Sequence, residues 1–231
     1  MHEIAEGLLA TTGDLRLGAG FWMPARATAL SCGAGAVALV SPLPLADADV
    51  AAIESLGKVA WVVAPNRMHH MHVAAAAARF PEAKLALADG VADKLREPLA
   101  SVPLASTPLG SEVTSFAIHG APAMSEVAIL HAPSRTLVVT DLVFNLRATR
   151  GFLTPLILTL VGARGRFAQS RAVRFMVKDR AALARSFDAL LDAHFDRVVM
   201  AHGEIVERGG KDALAGALGW ARASAAVPLL T

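Results

Sequence analysis

Several absences bound the reading first. The 231 residues include one cysteine, Cys32, so no intrachain disulfide can form, and a reducing compartment, the cytoplasm, is expected. Cys32 sits in Ser31-Cys32-Gly33 between apolar stretches, where a thiol reads as a small buried residue rather than a nucleophile. No run of lysine or arginine forms a basic stripe and the formal net charge is +2, which argues against nucleic acid as a partner. No apolar run reaches the about 20 residues that cross a bilayer. The most apolar one, 152–161, is short and carries Pro155. The opening MHEIAEGLLATTGD has acidic residues and no basic flank, so it does not read as a signal peptide. There is no P-loop, no G-x-G-x-x-G fingerprint, no nucleophile elbow and no internal repeat. Membrane spans, nucleotide-binding loops of those kinds and serine-triad chemistry are therefore set aside.

What remains is a chain that is 54% hydrophobic, enough for a sizeable core, with much of that share in alanine. Its length suits one α/β domain over 1–231. Strands are expected at 27–32, 36–40, 59–63, 84–88 and 113–118. A hairpin is expected from 127–130 and 136–140, with His131 in its turn, and a further strand at 197–200. Helices are expected at 47–56, 70–80, 89–97 and 179–194, and from 211 to a stop before Pro228. Two β-rich halves covered by helices permit a four-layer αββα sandwich.

The segment 145–174 resists assignment. Its apolar part, 152–161, suits a lid, a homodimer contact or an ordinary core helix. Its arginines, Arg147 to Arg174, suit either a solvated loop or a contact surface for an anionic substrate or acidic partner.

Three strands deliver chemistry-bearing residues at their carboxyl ends. His69, His70 and His72 follow the strand at 59–63, Asp141 follows 136–140, and His202-Gly203 follows 197–200. In α/β folds, sites gather at such ends. If the ends lie side by side, imidazole and carboxylate donors converge with the ligand chemistry of zinc, iron or manganese. Taken singly, each has a plainer reading: solvated imidazoles at a helix start, or Asp141 as a helix cap. His119 and Glu126 could lie near the same edge as additional ligands.

The segments Pro65-Asn66-Arg67-Met68-His69-His70, Ser134 through Asn145 (SRTLVVTDLVFN) and Ala201-His202-Gly203 resemble the metallo-β-lactamase-like superfamily, and most closely a poorly characterised bacterial branch of it. The early strand at 36–42 fits the same fold. The resemblance implies the αββα sandwich and a hydrolase scaffold. The family motif His-x-His-x-Asp-His falls on Pro65, Arg67, His69 and His70, so both leading histidines are replaced and His69 stands for the aspartate. The later turn histidine falls near Pro122, in Gly120-Ala121-Pro122-Ala123-Met124-Ser125. The bridging aspartate matches Asp141 and the last histidine matches His202. By this resemblance one metal site is lost, while the other survives as His69, His70, Asp141 and His202.

Two functions follow as expectations. One is a single-metal hydrolase, zinc first and iron or manganese as alternatives. Its activated water would attack a small-molecule ester, lactone, thioester or phosphoester, with Asp141 orienting the water and Arg67 stabilising developing charge. His72 and His119 could stand in for missing ligands. The other is a binding or interaction protein without metal on a retired scaffold, its site space filled by Met68, Met71 or Met124.

Overall fold

A computed structural model of the chain describes residues 1–225. Seven strands form the larger sheet: β1 (His2–Ala5), β2 (Leu8–Gly18), β3 (Phe21–Gly33), β4 (Ala36–Val40), β5 (Lys58–Ala64), β6 (Lys84–Leu87) and β7 (Ser101–Pro103). They lie in sequential order, antiparallel as far as β4 and parallel from β4 onward. The second sheet takes β8 (Val113–Ala117), β9 (Val127–His131), β10 (Thr136–Val139) and, beyond the two-residue ladder of β11 (Phe144–Asn145) and β12 (Phe167–Ala168), β13 (Arg197–Met200). Its order is β13-β10-β9-β8, with the β10–β13 pair parallel.

The period of two along the second sheet divides two cores. Val127, Ile129, Val138 and Val199 join the core shared with the larger sheet. Their alternate neighbours Ala128, Leu130, Leu137, Val139, Val198 and Met200 join a core with the outer helices. Strands buried on both faces read as unbroken apolar runs, which is why VVM and LVV lack polar alternation. α1 (Asp47–Leu56) and α2 (Val73–Arg79) cover the larger sheet. α3 (Thr154–Leu160) and α4 (Arg171–Phe175) are short. α5 (Arg180–Asp192) and α6 (Gly210–Ala225) cover the second sheet. The layers run helix, sheet, sheet, helix.

Several expectations shift. The strand expected at 27–32 is the distal part of a 13-residue β3, paired along its length with β2. The helix expected over 89–97 is only a 3₁₀ turn, Ala92–Lys94. Gly90 before it has φ +73, and the Arg67 guanidinium fills the space a Cβ would need. His131 ends β9 and is fully buried rather than lying in the turn. α2 begins at Val73, not at 70. The Asn66 side-chain oxygen accepts from the Met68 and His69 amides at 2.8 and 3.1 Å, so 66–69 closes a polar turn before the helix can start. The C-terminal helix starts at Gly210, one residue earlier than read; the stop before Pro228 lies outside the described residues.

Within 145–174 the structure has real elements. Thr154 anchors α3 to the β2–β3 turn, accepting from the Trp22 amide at 3.0 Å and donating to the Arg150 carbonyl at 2.5 Å. Leu158 is buried, while Phe152, Leu156 and Leu160 are exposed.

Candidate metal centre

Four strands end at one edge and each supplies a piece. After β4, Ser41 takes φ +53, and its amide donates to the Val63 carbonyl at 2.9 Å. After β5 comes the Asn66 turn, after β10 come Thr140 and Asp141, and after β13 comes His202. Gly203 has φ +105, and a Cβ there would sit 2.3 Å from the Asn145 carbonyl oxygen. Glycine is thus what lets the chain turn back beneath His202.

Asp141 lies between two imidazoles. Its Oδ2 is 3.1 Å from His69 Nε2 and its Oδ1 is 3.3 Å from His202 Nε2. All three groups are nearly closed to solvent, with side-chain exposure of 7–9%. The two rings are 5.3 Å apart at 47°, and Phe144 stacks on His202 at 5.7 Å.

Each member is held from behind. Asn66 Nδ2 donates to Asp141 Oδ2 at 2.7 Å and also lies 2.7 Å from Glu126 and 2.9 Å from the Thr140 hydroxyl. Glu126 accepts from the Thr140 and Asp141 amides at 2.6 and 3.3 Å. His69 Nδ1 meets the Ser41 hydroxyl at 2.5 Å, and His202 Nδ1 donates to the Pro24 carbonyl at 2.7 Å. Arg26 reaches from β3 to donate to the carbonyls of Met200 and Gly203, bracketing the His202 turn.

The electrostatics follow from burial and neighbours. Burial alone would raise the Asp141 carboxyl, but the His69 and His202 imidazoles outweigh it and hold the group well below the ordinary carboxylate range. Burial would lower His202, and the hydrogen bond and charge of Asp141 reverse this and raise it. Glu126 is raised by burial and by the Asp141 charge beside it, against the opposing bonds from Asn66 and Thr140.

The donor set fits a metal. A carbonyl only accepts, so His202 Nδ1 carries hydrogen toward Pro24. The Nε2 of a neutral ring then presents a lone pair toward a carboxylate oxygen at 3.3 Å. Two facing lone pairs require a cation between them, a proton or a metal ion. The three donor groups offer atoms all within 4.8 Å of one another, and two imidazoles with one carboxylate are a ligand set common to zinc sites that keep a position open. The backing of each imidazole by an oxygen partner is the usual outer shell of such ligands.

A family model described as the metallo-beta-lactamase superfamily matches residues 29–180. The chain belongs to the metallo-beta-lactamase superfamily. No curated protein sequence matches it. Among solved structures it is similar to a metallo-beta-lactamase from Pontibacter korlensis, at 12% identity and TM-score 0.61, covering 94% of this chain and 97% of that one. It is also similar to FIM-1 from Pseudomonas aeruginosa in its mono-zinc form, at 13% and 0.62, covering 95% and 94%. A metallo-beta-lactamase from Erythrobacter litoralis aligns at 15% and 0.60, covering 96% and 91%. At these identities the likeness establishes the fold alone. The helix–sheet–sheet–helix layering is that of the metallo-beta-lactamase superfamily.

Of the four metal ligands expected from the sequence, the structure brings together His69, Asp141 and His202. His70 turns away: its Nδ1 lies 3.1 Å from the Arg67 carbonyl, and it borders a different hollow beside Lys94 and Glu97. Consecutive residues in the Asn66 turn point to different sides, so only one of the pair can face Asp141. Arg67 packs over Gly90 and does not line the cavity at Asp141. His119 borders a separate hollow behind the site, and its amide donates to the Ser186 hydroxyl at 3.0 Å. Glu126 contributes no ligand and instead ties the Asn66 turn to the end of β10. His72 does line the cavity; its Nε2 is buried without a hydrogen-bond partner among the described residues, and burial lowers its proton affinity.

Asn66, Ser41, Arg26 and the Pro24 carbonyl were not singled out by sequence reasoning. Asn66 carried a signal, a side chain with turn-forming capacity directly after a buried strand. The other three act from β3 and from the end of β4, far away in sequence, and left none.

Proposed function

We propose that the protein is a single-metal hydrolase that cleaves an ester, lactone or thioester with an apolar acyl portion. What carries this reading is that His69, Asp141 and His202 form the polar floor of a cavity of about 400 Å³ whose walls are otherwise largely apolar. Leu15, Met23, Met68, Phe144, Ile157 and Val161 are among those walls. The volume lies within the roughly 300–1,000 Å³ typical of small-molecule sites. No lysine or arginine lines it among the described residues, which disfavours a phosphoester as the group bound there.

His69, Asp141 and His202 would hold a divalent metal, which would supply Lewis acidity and bring the proton loss of water into the neutral range. The chain's own groups do the rest. The Pro24 carbonyl fixes the His202 ring, Ser41 fixes His69, and Asn66 fixes the Asp141 carboxylate against rotation. The apolar walls bind the acyl portion and exclude water, so that polar interactions at the floor act at low dielectric.

The first metal site of the superfamily pattern is absent from this proposal, because Pro65 and Arg67 stand at its leading positions and neither is a ligand. A binding protein without metal would fill the floor with methionine. Met68 and Met71 do line the cavity, yet about 400 Å³ stays open, while Met124 is spent in the core.

The test is a hydrolysis screen on metal-loaded protein with p-nitrophenyl acyl esters, a thioester, a phosphodiester and a cephalosporin. Turnover of the acyl esters, lost in Asp141→Ala, is expected. Phosphodiester cleavage exceeding acyl cleavage, or ester turnover that survives Asp141→Ala, would contradict the proposal.

A further inference from the structure

The segment that roofs the cavity has an unusual outer surface. Between Asp141 and Asp179 there is no acidic residue, but there are Arg147, Arg150, Arg164, Arg166, Arg171, Arg174 and Lys178. The whole chain is only +2, so the remainder is net acidic. All six arginines are exposed. Arg147 and Arg150 pair with Glu204 and Asp14. The other four arginines have no carboxylate partner among the described residues. Arg166 and Arg171 lie near enough to Arg174 to add to the effect of burial in lowering its proton affinity.

Large apolar side chains stand among these charges. Phe152, Leu156, Leu160 and Phe175 are 78%, 57%, 64% and 83% exposed. They form one face. Leu156 and Leu160 are a turn apart on α3. Arg171 donates to the Leu160 carbonyl at 3.2 Å, and Phe175 lies one turn further along α4. This surface adjoins the cavity, because the other side of α3 supplies Ile157, Leu158 and Val161 to its wall. Leu17 and Met71, 49% and 57% exposed, also line the cavity and stand at its opening.

Charge decides between the occupants of such a face. A two-fold dimer through 152–161 would set the same patch against itself, bringing together flanking arginines that have no carboxylate partner among the described residues. Nucleic acid would meet the arginines but offer little to the leucines and phenylalanines, since its surface contacts are mostly to phosphate and sugar. An anionic lipid surface answers both features, with phosphates for the guanidiniums and acyl chains for the apolar side chains.

We propose that the face built by 147–175 docks on an anionic lipid surface and sets the mouth of the cavity against it. The aromatic and leucine side chains enter at the headgroup boundary and the arginines surround them at phosphate level.

The test is co-sedimentation of the full chain with vesicles of phosphatidylcholine alone or mixed with phosphatidylglycerol. Binding to the mixed vesicles only is expected, with release in high salt as the screening length falls from about 10 Å at 0.1 M to about 3 Å at 1 M. Arg164→Gln and Arg166→Gln should each weaken binding roughly fivefold. The triple variant Phe152→Ser, Leu160→Ser, Phe175→Ser should weaken it about tenfold or more. Thermal melts should be unchanged, since these side chains are exposed. No binding to the mixed vesicles, or equal binding to neutral ones, would overturn the proposal. So would a dimer in light scattering that the triple variant dissolves, because the face would then be a subunit interface. No outcome depends on hydrolysis, so this result and the hydrolase reading can fail separately.

Discussion

The second sheet carries a buried imidazole near an acid at each end, and the two ends differ instructively. At one end His69 and His202 flank Asp141, each imidazole backed by an oxygen partner, with the remaining donors facing a cavity. At the other, His131 is fully buried between β8 and β10, with Nδ1 2.7 Å from the Ser134 hydroxyl. Among the described residues its Nε2 has no hydrogen-bond partner, and it lies 3.9 Å from Glu112. Burial lowers His131, with Glu112 only partly opposing this, whereas Asp141 reverses the same burial effect at His202. Burial of a histidine therefore says little about function. Convergence of donors on shared, accessible space is what separates a site from a core contact.

The largest difference should appear in paired alanine variants. Asp141→Ala should abolish metal binding, a loss beyond the tenfold to about hundredfold that removal of an outer partner costs. His131→Ala should leave metal content unchanged while lowering the melting temperature. Metal titration and thermal melts on the two proteins read both effects.

Next comes a glutamate at each end. Glu126→Ala removes one of the acceptors of the Asn66 side chain and leaves the Thr140 and Asp141 backbone amides without theirs in a buried site, and should cost about 3–5 kcal/mol in denaturant unfolding. Glu112→Ala, at the partly open end, should cost about 1 kcal/mol or less. Equal losses would mean that the Glu126 network does not organise the site.

The hydroxyl partners give a smaller contrast. Ser41→Ala removes the support of His69 and should weaken metal affinity about tenfold to hundredfold. Ser134→Ala, next to His131, should leave it unchanged.

The smallest effect is in pH. The folded pKa of His131 is depressed, so its contribution to stability is fully present above the unfolded histidine pKa of about 6.5 and is lost as pH falls toward the folded value. Stability should decline on mild acidification, and His131→Asn should flatten that slope. At the other end protons compete with metal for His202, so metal affinity should rise with pH through the raised His202 pKa.

The same contrast explains what the sequence made legible. Asp141 and His202 could be read because each lies two residues past a buried, largely apolar strand, which fixes where its side chain emerges. His69 could not be separated from His70, because the choice depends on the phase of the Asn66 turn, a local bond that periodicity does not report. Ser41, Arg26 and the Pro24 carbonyl reach the site only through pairing across the sheets. The β2–β3 hairpin was only partly read, because glycines and exposed charges in β2 interrupt the alternation that marks a strand. The segment 145–174 hid two short helices, since α3 carries Pro155 in its first turn and leaves Leu156 and Leu160 exposed while burying Leu158.

The most direct test of the metal centre is elemental analysis of untagged protein, wild type beside the Asp141→Ala, His202→Ala double variant. About one zinc, iron or manganese ion per chain in the wild type, and none in the variant, is expected from a three-ligand site. No metal in the wild type after dialysis against zinc and manganese would contradict it. Asp141 would then be holding two imidazoles by hydrogen bonds alone.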